Sequence, residues 1–153
     1  MAVLFFDSSG LVKRYIAETG TNWVINQLRV SAANDIFIAN ITGIEVASAI
    51  ARRVRSESIT QIFADKALRR FKRDFDKKFI VIELTPKIVK VGILLAEKYS
   101  LRGYDTVQLA VGLSVKNRLA QSGIQNFTFI SADKNLNSAA VAEGLTVDNP
   151  NQH

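Results

Sequence analysis

Cysteine is absent from this 153-residue sequence, and the only histidine, His153, is the last residue. Without cysteine there is no disulfide framework, no thiol nucleophile and no cysteine-ligated zinc, and nothing indicates an oxidising compartment. A lone histidine at a terminus, where order is usually poor, argues against Ser-His-Asp triads, histidine-bridged zinc and imidazole acid-base catalysis. Any chemistry must therefore come from carboxylates, hydroxyls, lysine or arginine.

Long apolar runs are also missing. No segment approaches the roughly 18 uncharged apolar residues that a membrane-spanning helix needs. The N-terminal run from Val3 to Phe6 is too short for the apolar part of a signal peptide, and no basic region precedes it. No tract is rich in Pro, Gly or Ser, and no repeat is found. We therefore expect one domain over residues 1–150 with a short C-terminal tail, 151–153, in a cytoplasmic protein that does not associate with membranes.

Five short apolar runs are typical of strands that are buried on both faces of a sheet. They are Val3 to Phe6, Ile36 to Ala39, Phe79 to Leu84, Phe127 to Ile130 and Leu145 to Val147. Segments with helical periodicity are Gly10 to Glu18, Asn22 to Val30, Gly43 to Val54, Thr60 to Lys77, Pro86 to Tyr99, Thr106 to Ser122 and Leu136 to Glu143. Strands that alternate with helices predict a single α/β domain with a mostly parallel sheet flanked by helices.

Positive charge is concentrated in one part of the chain. Lys and Arg number 20 against 14 Asp and Glu, which gives a formal net charge of +6. Residues 52–78 contain ten basic and four acidic residues, so the whole excess lies in this stretch. These cations either keep a solvated helix face soluble or bind phosphate, and their concentration favours phosphate. The predicted RNA-binding residues are Arg52, Arg53, Lys66, Arg70, Arg73 and Lys77.

Four acidic residues stand at the ends of predicted strands or the starts of predicted helices. Asp7 directly follows the first strand, and Asp133 comes shortly after the fourth. Glu45 lies in the first turn of the helix after the second strand, and Asp105 opens a later helix. Because ligands of open α/β sheets bind beyond the carboxyl ends of the strands, we expect these four acids to converge on one crevice.

Each acid also has a purely structural explanation. Thr42 and Glu45 have the spacing of a capping box, in which the Glu side chain binds the backbone at the start of the helix. Asp105 and Gln108 match that spacing loosely. Simple N-caps would account for the remaining two acids. The four together are harder to explain as caps, because converging like charges raise one another's pKa unless a cation neutralises them.

The cation that this composition favours is Mg²⁺ or Mn²⁺, because hard ions prefer oxygen ligands and the chain offers no Cys and no internal His. Such an ion suits phosphodiester hydrolysis, since it activates water and neutralises charge on the scissile phosphate. The neighbouring hydroxyls of Ser8, Thr42 and Ser131 can orient carboxylates or waters, or they can be ordinary helix caps.

Four segments, in order, resemble the PIN-domain ribonucleases, and most closely the VapC-type toxins of toxin-antitoxin pairs. The segments are Phe6-Asp7-Ser8-Ser9-Gly10-Leu11-Val12-Lys13-Arg14-Tyr15, Thr42 to Ala49, Leu101 to Ala110, and Ser131 to Leu136 with Ala142 to Leu145 and Asn149-Pro150. Members of that family often have His where this chain has Gln108, and Ala-Leu where Thr106-Val107 stands. Neither departure changes an acidic position.

The resemblance implies a central five-stranded parallel sheet and a metal ion held chiefly by Asp7 and Asp105, with Glu45 and Asp133 completing the acidic catalytic site. It also implies endonucleolytic cleavage of RNA, often a tRNA or ribosomal RNA. The implied partners are a cognate antitoxin that blocks the site and a second copy of the chain in a homodimer.

Two other functions stay open on the sequence alone. One is a non-catalytic nucleic-acid-binding or protein-binding module that uses the basic 52–78 stretch, with the acids acting only as caps. The other is an aspartyl-phosphate phosphatase with Asp7 as nucleophile, which is less favoured because Ser9 interrupts the expected Asp-x-Asp arrangement.

Overall fold

The computed structural model describes all 153 residues and contains five strands and seven α-helices. The strands are β1 (Val3–Phe6), β2 (Asp35–Ala39), β3 (Ile80–Ile82), β4 (Phe127–Ile130) and β5 (Val147–Asp148). The helices are α1 (Ser8–Leu11), α2 (Thr21–Gln27), α3 (Thr42–Arg55), α4 (Gln61–Lys77), α5 (Pro86–Tyr99), α6 (Gly103–Gln121) and α7 (Lys134–Ala142). Short 3₁₀ turns cover Val12–Arg14, Val30–Ala32 and Pro150–Gln152.

All five strands are parallel and lie in the order β3-β2-β1-β4-β5. The chain builds one half of the sheet from β1 outward to β3 and then crosses to β4 on the other side of β1. The connections diverge at β1 and β4, which places a crevice beyond the carboxyl ends of these strands. Phe6 pairs with Ile130, so the residues that follow these two strands are neighbours.

Helices cover both faces of the sheet, because alternate residues of β1 point to opposite sides. Leu4 and Phe6 belong to a core shared with α1 to α4, and Val3 and Phe5 to a core shared with α5 to α7. The helix α6 lies close to the sheet at Gly112, where an added Cβ atom would stand 2.8 Å from the ring of Phe129. The helices α3 and α6 start at the same edge of the sheet, and they cover opposite faces of β1 and β2.

The predicted five-stranded parallel sheet is confirmed, with the first and fourth strands at the expected residues. The third strand is shorter than predicted, and the fifth is Val147–Asp148 rather than Leu145 to Val147. The predicted helix from Pro86 to Tyr99 is confirmed at both ends. The predicted helices Gly43 to Val54, Thr60 to Lys77 and Leu136 to Glu143 differ from α3, α4 and α7 by one or two residues at one end or both.

The first predicted helix, Gly10 to Glu18, is wrong at both ends. It begins at Ser8, because Asp7 caps it, and it gives way to a 3₁₀ turn after Leu11. The hydroxyl of Thr21 donates to the carbonyl of Lys13 at 2.8 Å and accepts from the backbone N–H of Glu18 at 2.9 Å. A side chain thus satisfies backbone groups that a longer helix would use.

Two further helix boundaries also differ from prediction. The helix predicted from Asn22 to Val30 ends at Gln27, whose carbonyl accepts a hydrogen bond of 3.0 Å from the amide of Asn34. The helix predicted from Thr106 to Ser122 begins earlier, at Gly103, so Asp105 lies within its first turn.

The C-terminal residues pack against α2. Gly20 has a φ of 86°, and an added Cβ atom would stand 2.2 Å from the carbonyl oxygen of Pro150. The ring of His153 stacks on Trp23 at 4.4 Å between centroids, and its Nε2 lies 2.8 Å from Oδ1 of Asp148. No helix in the chain has the length and apolar character to cross a membrane.

Candidate active site

Asp7 is the most deeply buried of the four acids, with 2% of its surface exposed. It caps α1, accepting a hydrogen bond of 2.8 Å from the N–H of Gly10. The hydroxyl of Ser9 lies 2.8 Å from both carboxylate oxygens, and that of Ser131 donates to Oδ2 at 2.7 Å. The pKa of Asp7 is raised to about 7. Burial is the main cause and the charge of Glu45 adds to it, while these hydrogen bonds lower the pKa.

Glu45 lies in the first turn of α3, at the end of β2, and is half-buried. Its Oε2 accepts from the hydroxyl of Ser8 at 3.0 Å, and its Oε1 accepts from Nε2 of Gln108 at 2.7 Å. The capping box is not formed: Thr42 is already helical, and its hydroxyl accepts from the same Gln108 nitrogen at 2.8 Å. Helix capping therefore does not explain Glu45.

Asp133 and Asp105 lie on the side of the sheet covered by α5 to α7. Asp133 caps α7 by accepting a hydrogen bond of 2.8 Å from the N–H of Leu136, as expected if it is a simple N-cap. Asp105 is half-buried in the first turn of α6 and accepts no hydrogen bond within the protein, so its loose match to a capping box with Gln108 is not realised. Both acids line one cleft of about 480 Å³ beside Arg102.

Some pairs among the four carboxylates influence each other electrostatically, and Glu45 acts on both Asp7 and Asp105. Burial raises the pKa of Asp105, and the charges of Asp133 and Glu45 raise it further while Arg102 lowers it. None of the ion pairs in the structure includes any of the four. Every hydrogen bond that they accept comes from a neutral donor: a serine hydroxyl, the Gln108 amide or a backbone N–H. The protein thus gathers this negative charge without pairing it.

The donor set suits a hard divalent ion, although no three acidic side chains are placed to hold one ion together. Mg²⁺ keeps several waters and often binds through only one or two carboxylates, so direct contact with three is not required. A bound divalent ion would lower the raised pKa of Asp7 and would supply the cationic partner that this carboxylate lacks. Asp7, Glu45, Asp105 and Asp133 are the acidic side chains that could hold it, and the charge of Glu45 acts on both Asp7 and Asp105.

The predicted hydroxyls occupy different places around the acids. Ser131 binds Asp7 directly and also accepts from the N–H of Asp133 at 3.1 Å, so it joins two of the four acids. Ser8 binds Glu45 rather than Asp7. Thr42 binds no acid and contacts Gln108 instead.

Sequence reasoning missed two residues of this network. Ser9 contacts Asp7, and its hydroxyl also accepts from the N–H of Ala132 at 2.9 Å, tying α1 to the segment after β4. A hydroxyl two residues after an N-capping Asp was a usable signal for it. The sequence indicates Gln108 only as a loose capping-box match to Asp105 and as a departure from a family, whereas the structure places it against Glu45 and Thr42.

Five of the six predicted RNA-binding residues are exposed, namely Arg52, Lys66, Arg70, Arg73 and Lys77. Arg53 is half-buried and forms an ion pair of 2.7 Å with Glu18, so it is committed to a structural contact. The prediction for Arg53 is therefore weakened by its geometry.

The two ends of α4 differ in their distance from the acids. An added Cβ atom on Gly43 would lie 3.0 Å from the ring of Phe75, so the C-terminal part of α4 packs against the start of α3. Arg73 and Lys77 belong to this part. Lys66 lies about 14 Å further along the helix axis from Phe75, at a rise of 1.5 Å per residue. The exposed cations Lys66, Arg70, Arg73 and Lys77 recur every three or four residues and thus form a track along the face of α4 opposite Phe75.

A five-stranded parallel sheet with carboxylates gathered at its carboxyl edge defines a PIN-like domain, and comparison with solved structures supports this class. The chain is similar to PAE2754 from Pyrobaculum aerophilum, with a TM-score of 0.61, 16% identity, and 95% of this chain and 89% of that chain covered. It is similar to VapBC2 from Rickettsia felis bound to a DNA fragment from their promoter, with a TM-score of 0.61, 15% identity, and 96% and 98% covered.

A third similar structure is VapC20 from Mycobacterium tuberculosis, described as a Sarcin-Ricin loop cleaving toxin, with a TM-score of 0.61, 14% identity, and 89% and 94% covered. No protein-family model and no curated protein matches the sequence. At these identities the similarity establishes the fold. The resemblance to VapC-type PIN domains that the sequence predicts is confirmed at that level.

Proposed function

We propose that this protein is an Mg²⁺- or Mn²⁺-dependent endoribonuclease and the toxin of a toxin-antitoxin pair. The observation that carries the proposal is the gathering of four carboxylates at one sheet edge with no cationic side chain paired to any of them. The fold shared with VapC20, which is described as a Sarcin-Ricin loop cleaving toxin, supports a nuclease that acts on RNA.

In this proposal Asp7 and Asp105 hold the divalent ion, and Glu45 and Asp133 complete the site. When bound, such an ion lowers the pKa of water and offsets the charge that builds on the scissile phosphate. Ser9 and Ser131 fix the Asp7 carboxylate from two sides. These contacts favour the charged form of Asp7, but burial outweighs them and the pKa stays raised at about 7.

The RNA strand is proposed to run along the exposed cations of α4. Lys77, Arg73, Arg70 and Lys66 follow one another along this track, and Arg73 also pairs with Asp74 at 3.6 Å. Phosphate contacts of this kind position a strand without reading its sequence. The choice between a tRNA, a ribosomal RNA and another RNA is therefore made elsewhere on the surface.

A cognate antitoxin is proposed to cover the acidic site. Two large apolar side chains stand exposed directly beside the acids: Ile44 at 67% and Tyr104 at 62%. Exposed apolar groups beside a functional cleft are typical of protein-binding surfaces. The fold shared with VapBC2 supports a partner of that kind.

A homodimer is the second proposed assembly. The helix α5 exposes Val89, Ile93 and Leu94, and part of this face borders an apolar cleft of about 260 Å³ between α5 and α6. Light scattering of the purified protein measures its mass in solution, and a mass of one chain at micromolar concentration would contradict this assembly.

The test of the nuclease proposal is cleavage of end-labelled total RNA by the purified protein with Mg²⁺ or Mn²⁺. Parallel reactions contain EDTA or an Asp7→Asn, Asp105→Asn variant that is purified identically. Metal-dependent fragments that the variant fails to produce would support the site, and fragments that persist in the variant would point to a contaminant. Absence of cleavage on total RNA and on individual tRNAs and ribosomal RNA would contradict the proposal.

A non-catalytic nucleic-acid-binding module is the alternative, and the N-caps formed by Asp7 and Asp133 are the observation in its favour. It predicts RNA binding with a steep salt dependence and no requirement for a divalent ion. The unpaired, half-buried Asp105 caps nothing and is left unexplained by this alternative.

A further inference from the structure

Gln108 is a buried amide at the centre of the acidic edge, with 1% of its surface exposed. It lies on α6, between β2 and the start of α3, and its Nε2 donates to both Glu45 and Thr42. Both hydrogens of the amide nitrogen are therefore used by these two acceptors. Its Oε1 is buried and accepts no hydrogen bond from the protein.

The two acceptors fix the direction of the amide. Exchanging the positions of Nε2 and Oε1 would set a carbonyl oxygen against the Glu45 carboxylate and leave that carboxylate without this donor. Thr42 is fully buried, so its hydroxyl supplies an acceptor at a fixed position. The nitrogen thus faces Glu45, at the cost of a buried carbonyl with no partner in the protein.

Glu45 is held on both sides by neutral donors, because Ser8 donates to its second oxygen at 3.0 Å. The buried acid Asp74, which lies outside the site, is held differently: Arg14 pairs with it at 2.8 Å and cancels its charge. An arginine or lysine at position 108 could orient Glu45 equally well but would remove the negative charge that attracts a divalent ion. A neutral amide orients the carboxylate and leaves its charge intact.

We infer that Gln108 is a positioning residue for Glu45, oriented by Thr42, that aims the Glu45 carboxylate at a divalent ion without pairing it to a cationic side chain. The geometry of this inference rests on the hydrogen bonds of Gln108. Its consequence for metal binding and catalysis rests on the proposed nuclease function. An apolar residue of similar volume would remove the unpartnered buried carbonyl but would leave the buried Thr42 hydroxyl without its donor. The position of Glu45 and the metal affinity, rather than stability, therefore separate positioning from a merely structural role.

The test compares wild type with Gln108→Met and with Thr42→Val and Thr42→Ser. Gln121→Met is the matched control, since Gln121 is an exposed residue near the end of the same helix. Each protein is titrated with Mn²⁺ and followed by electron paramagnetic resonance, its thermal unfolding is recorded, and kcat and KM for RNA are measured at a fixed Mn²⁺ concentration. A crystal structure of metal-free Gln108→Met reports the position of Glu45.

We expect Gln108→Met to weaken Mn²⁺ binding and lower kcat by about 10- to 100-fold, the usual effect of removing a partner of a metal ligand, with KM for RNA little changed. Thr42→Val should show a smaller loss that Thr42→Ser restores, because the serine hydroxyl again accepts from the amide. Gln121→Met should behave as wild type. In the crystal, Glu45 should leave its place beside Ser8.

The inference is overturned if Glu45 keeps its position in Gln108→Met, or if that variant binds Mn²⁺ with wild-type affinity. It is also overturned if Thr42→Val and Thr42→Ser are equally impaired. If wild type binds no Mn²⁺ but Glu45 moves in Gln108→Met, the nuclease proposal fails while the positioning of Glu45 by Gln108 stands.

Discussion

The hydroxyl of Ser131 donates a hydrogen bond of 2.7 Å to Oδ2 of Asp7, between residues 124 positions apart in sequence. The parallel pairing of Phe6 with Ile130 brings them together, because each is the first residue after its strand. Asp7 is thereby fixed in a buried place where its charge is costly and no cation compensates it. Function and stability are therefore opposed at this residue.

The Asp7→Asn variant should be more stable than wild type in EDTA at pH 8. The pKa of Asp7 is about 7 in the folded protein against 3.8 for the ordinary group, so folding favours the protonated form. The free energy of unfolding of wild type should fall as pH rises from about 4 to about 7, by on the order of 4 kcal/mol. Urea unfolding between pH 4.5 and 8 measures the difference, which should shrink to about 1 kcal/mol at the acidic end.

Asp76→Asn is the control for this prediction, because Asp76 is an exposed acid on α4. It should shift stability little at any pH. An Asp7→Asn variant that is less stable than wild type at pH 8 would contradict the raised pKa.

Mn²⁺ should stabilise the wild-type protein at pH 8 and much less at pH 5. The ion requires anionic carboxylates, and Asp7 becomes protonated as pH falls below about 7. A concentration of 100 times the Kd adds about 2.7 kcal/mol to the free energy of unfolding. Thermal unfolding with and without Mn²⁺ measures the gain, which Asp7→Asn, Asp105→Asn should lack. An equal gain in this variant would place the ion elsewhere.

Ser131→Ala should lower the rate of RNA cleavage by about 10- to 100-fold, as is usual for a group that orients a metal ligand. The Ser131 hydroxyl lowers the pKa of Asp7, so its removal favours the protonated carboxyl. The rate loss should therefore be smaller at pH 8.5 than at pH 7. Ser122→Ala is the control, since Ser122 is exposed and follows the far end of α6. A pH-independent loss would contradict this cause.

Lys77→Gln and Arg70→Gln should weaken RNA binding and each reduce the slope of log affinity against log salt by about 1. Each side chain is exposed on α4 and free of ion pairs, so the loss reports a phosphate contact rather than a broken structural pair. Mn²⁺ affinity should not change. Lys90→Gln on the exposed side of α5 is the control, and an effect of equal size there would contradict a track along α4.

Asp74→Asn should destabilise the fold by roughly 3 kcal/mol, the usual cost of breaking a buried ion pair. Arg14 at 2.8 Å and Tyr15 at 2.9 Å both donate to Oδ2 of Asp74. Burial alone would raise the pKa of Asp74, but the two hydrogen bonds and the charge of Arg14 outweigh it, so the pKa is lowered. Tyr15→Phe should cost only about 1 kcal/mol. Urea unfolding at pH 7 measures both, and equal losses would contradict Arg14 as the main partner.

The sequence predicts most of the fold because the strands are continuous apolar runs and the long helices have clear periodicity. It fails around α1, where Thr21 replaces backbone partners that a longer helix would use. Such a side-chain contact across eight residues leaves no periodic signal. The end of α2 is missed for a similar reason, because the amide of Asn34 donates to the carbonyl of Gln27.

The acids of the candidate site are predictable because each stands at a strand end or a helix start. The hydrogen-bond partners of these acids are harder to predict. The capping-box spacing of Thr42 and Glu45 points to a local contact, whereas Glu45 binds Ser8 and Gln108, 37 and 63 positions away. Only the packing of α3 and α6 around β1 and β2 reveals that pairing.

The measurement that tests the central claim most directly is RNA cleavage by the purified protein with Mn²⁺ in water enriched in oxygen-18. The account predicts that the heavy oxygen enters the terminal phosphate of the products, because a water molecule attacks the phosphodiester. Unlabelled products that end in a cyclic phosphate would show attack by the ribose hydroxyl instead. That result, or label that enters equally with the Asp7→Asn, Asp105→Asn variant, would contradict a metal-dependent hydrolytic site at these four acids.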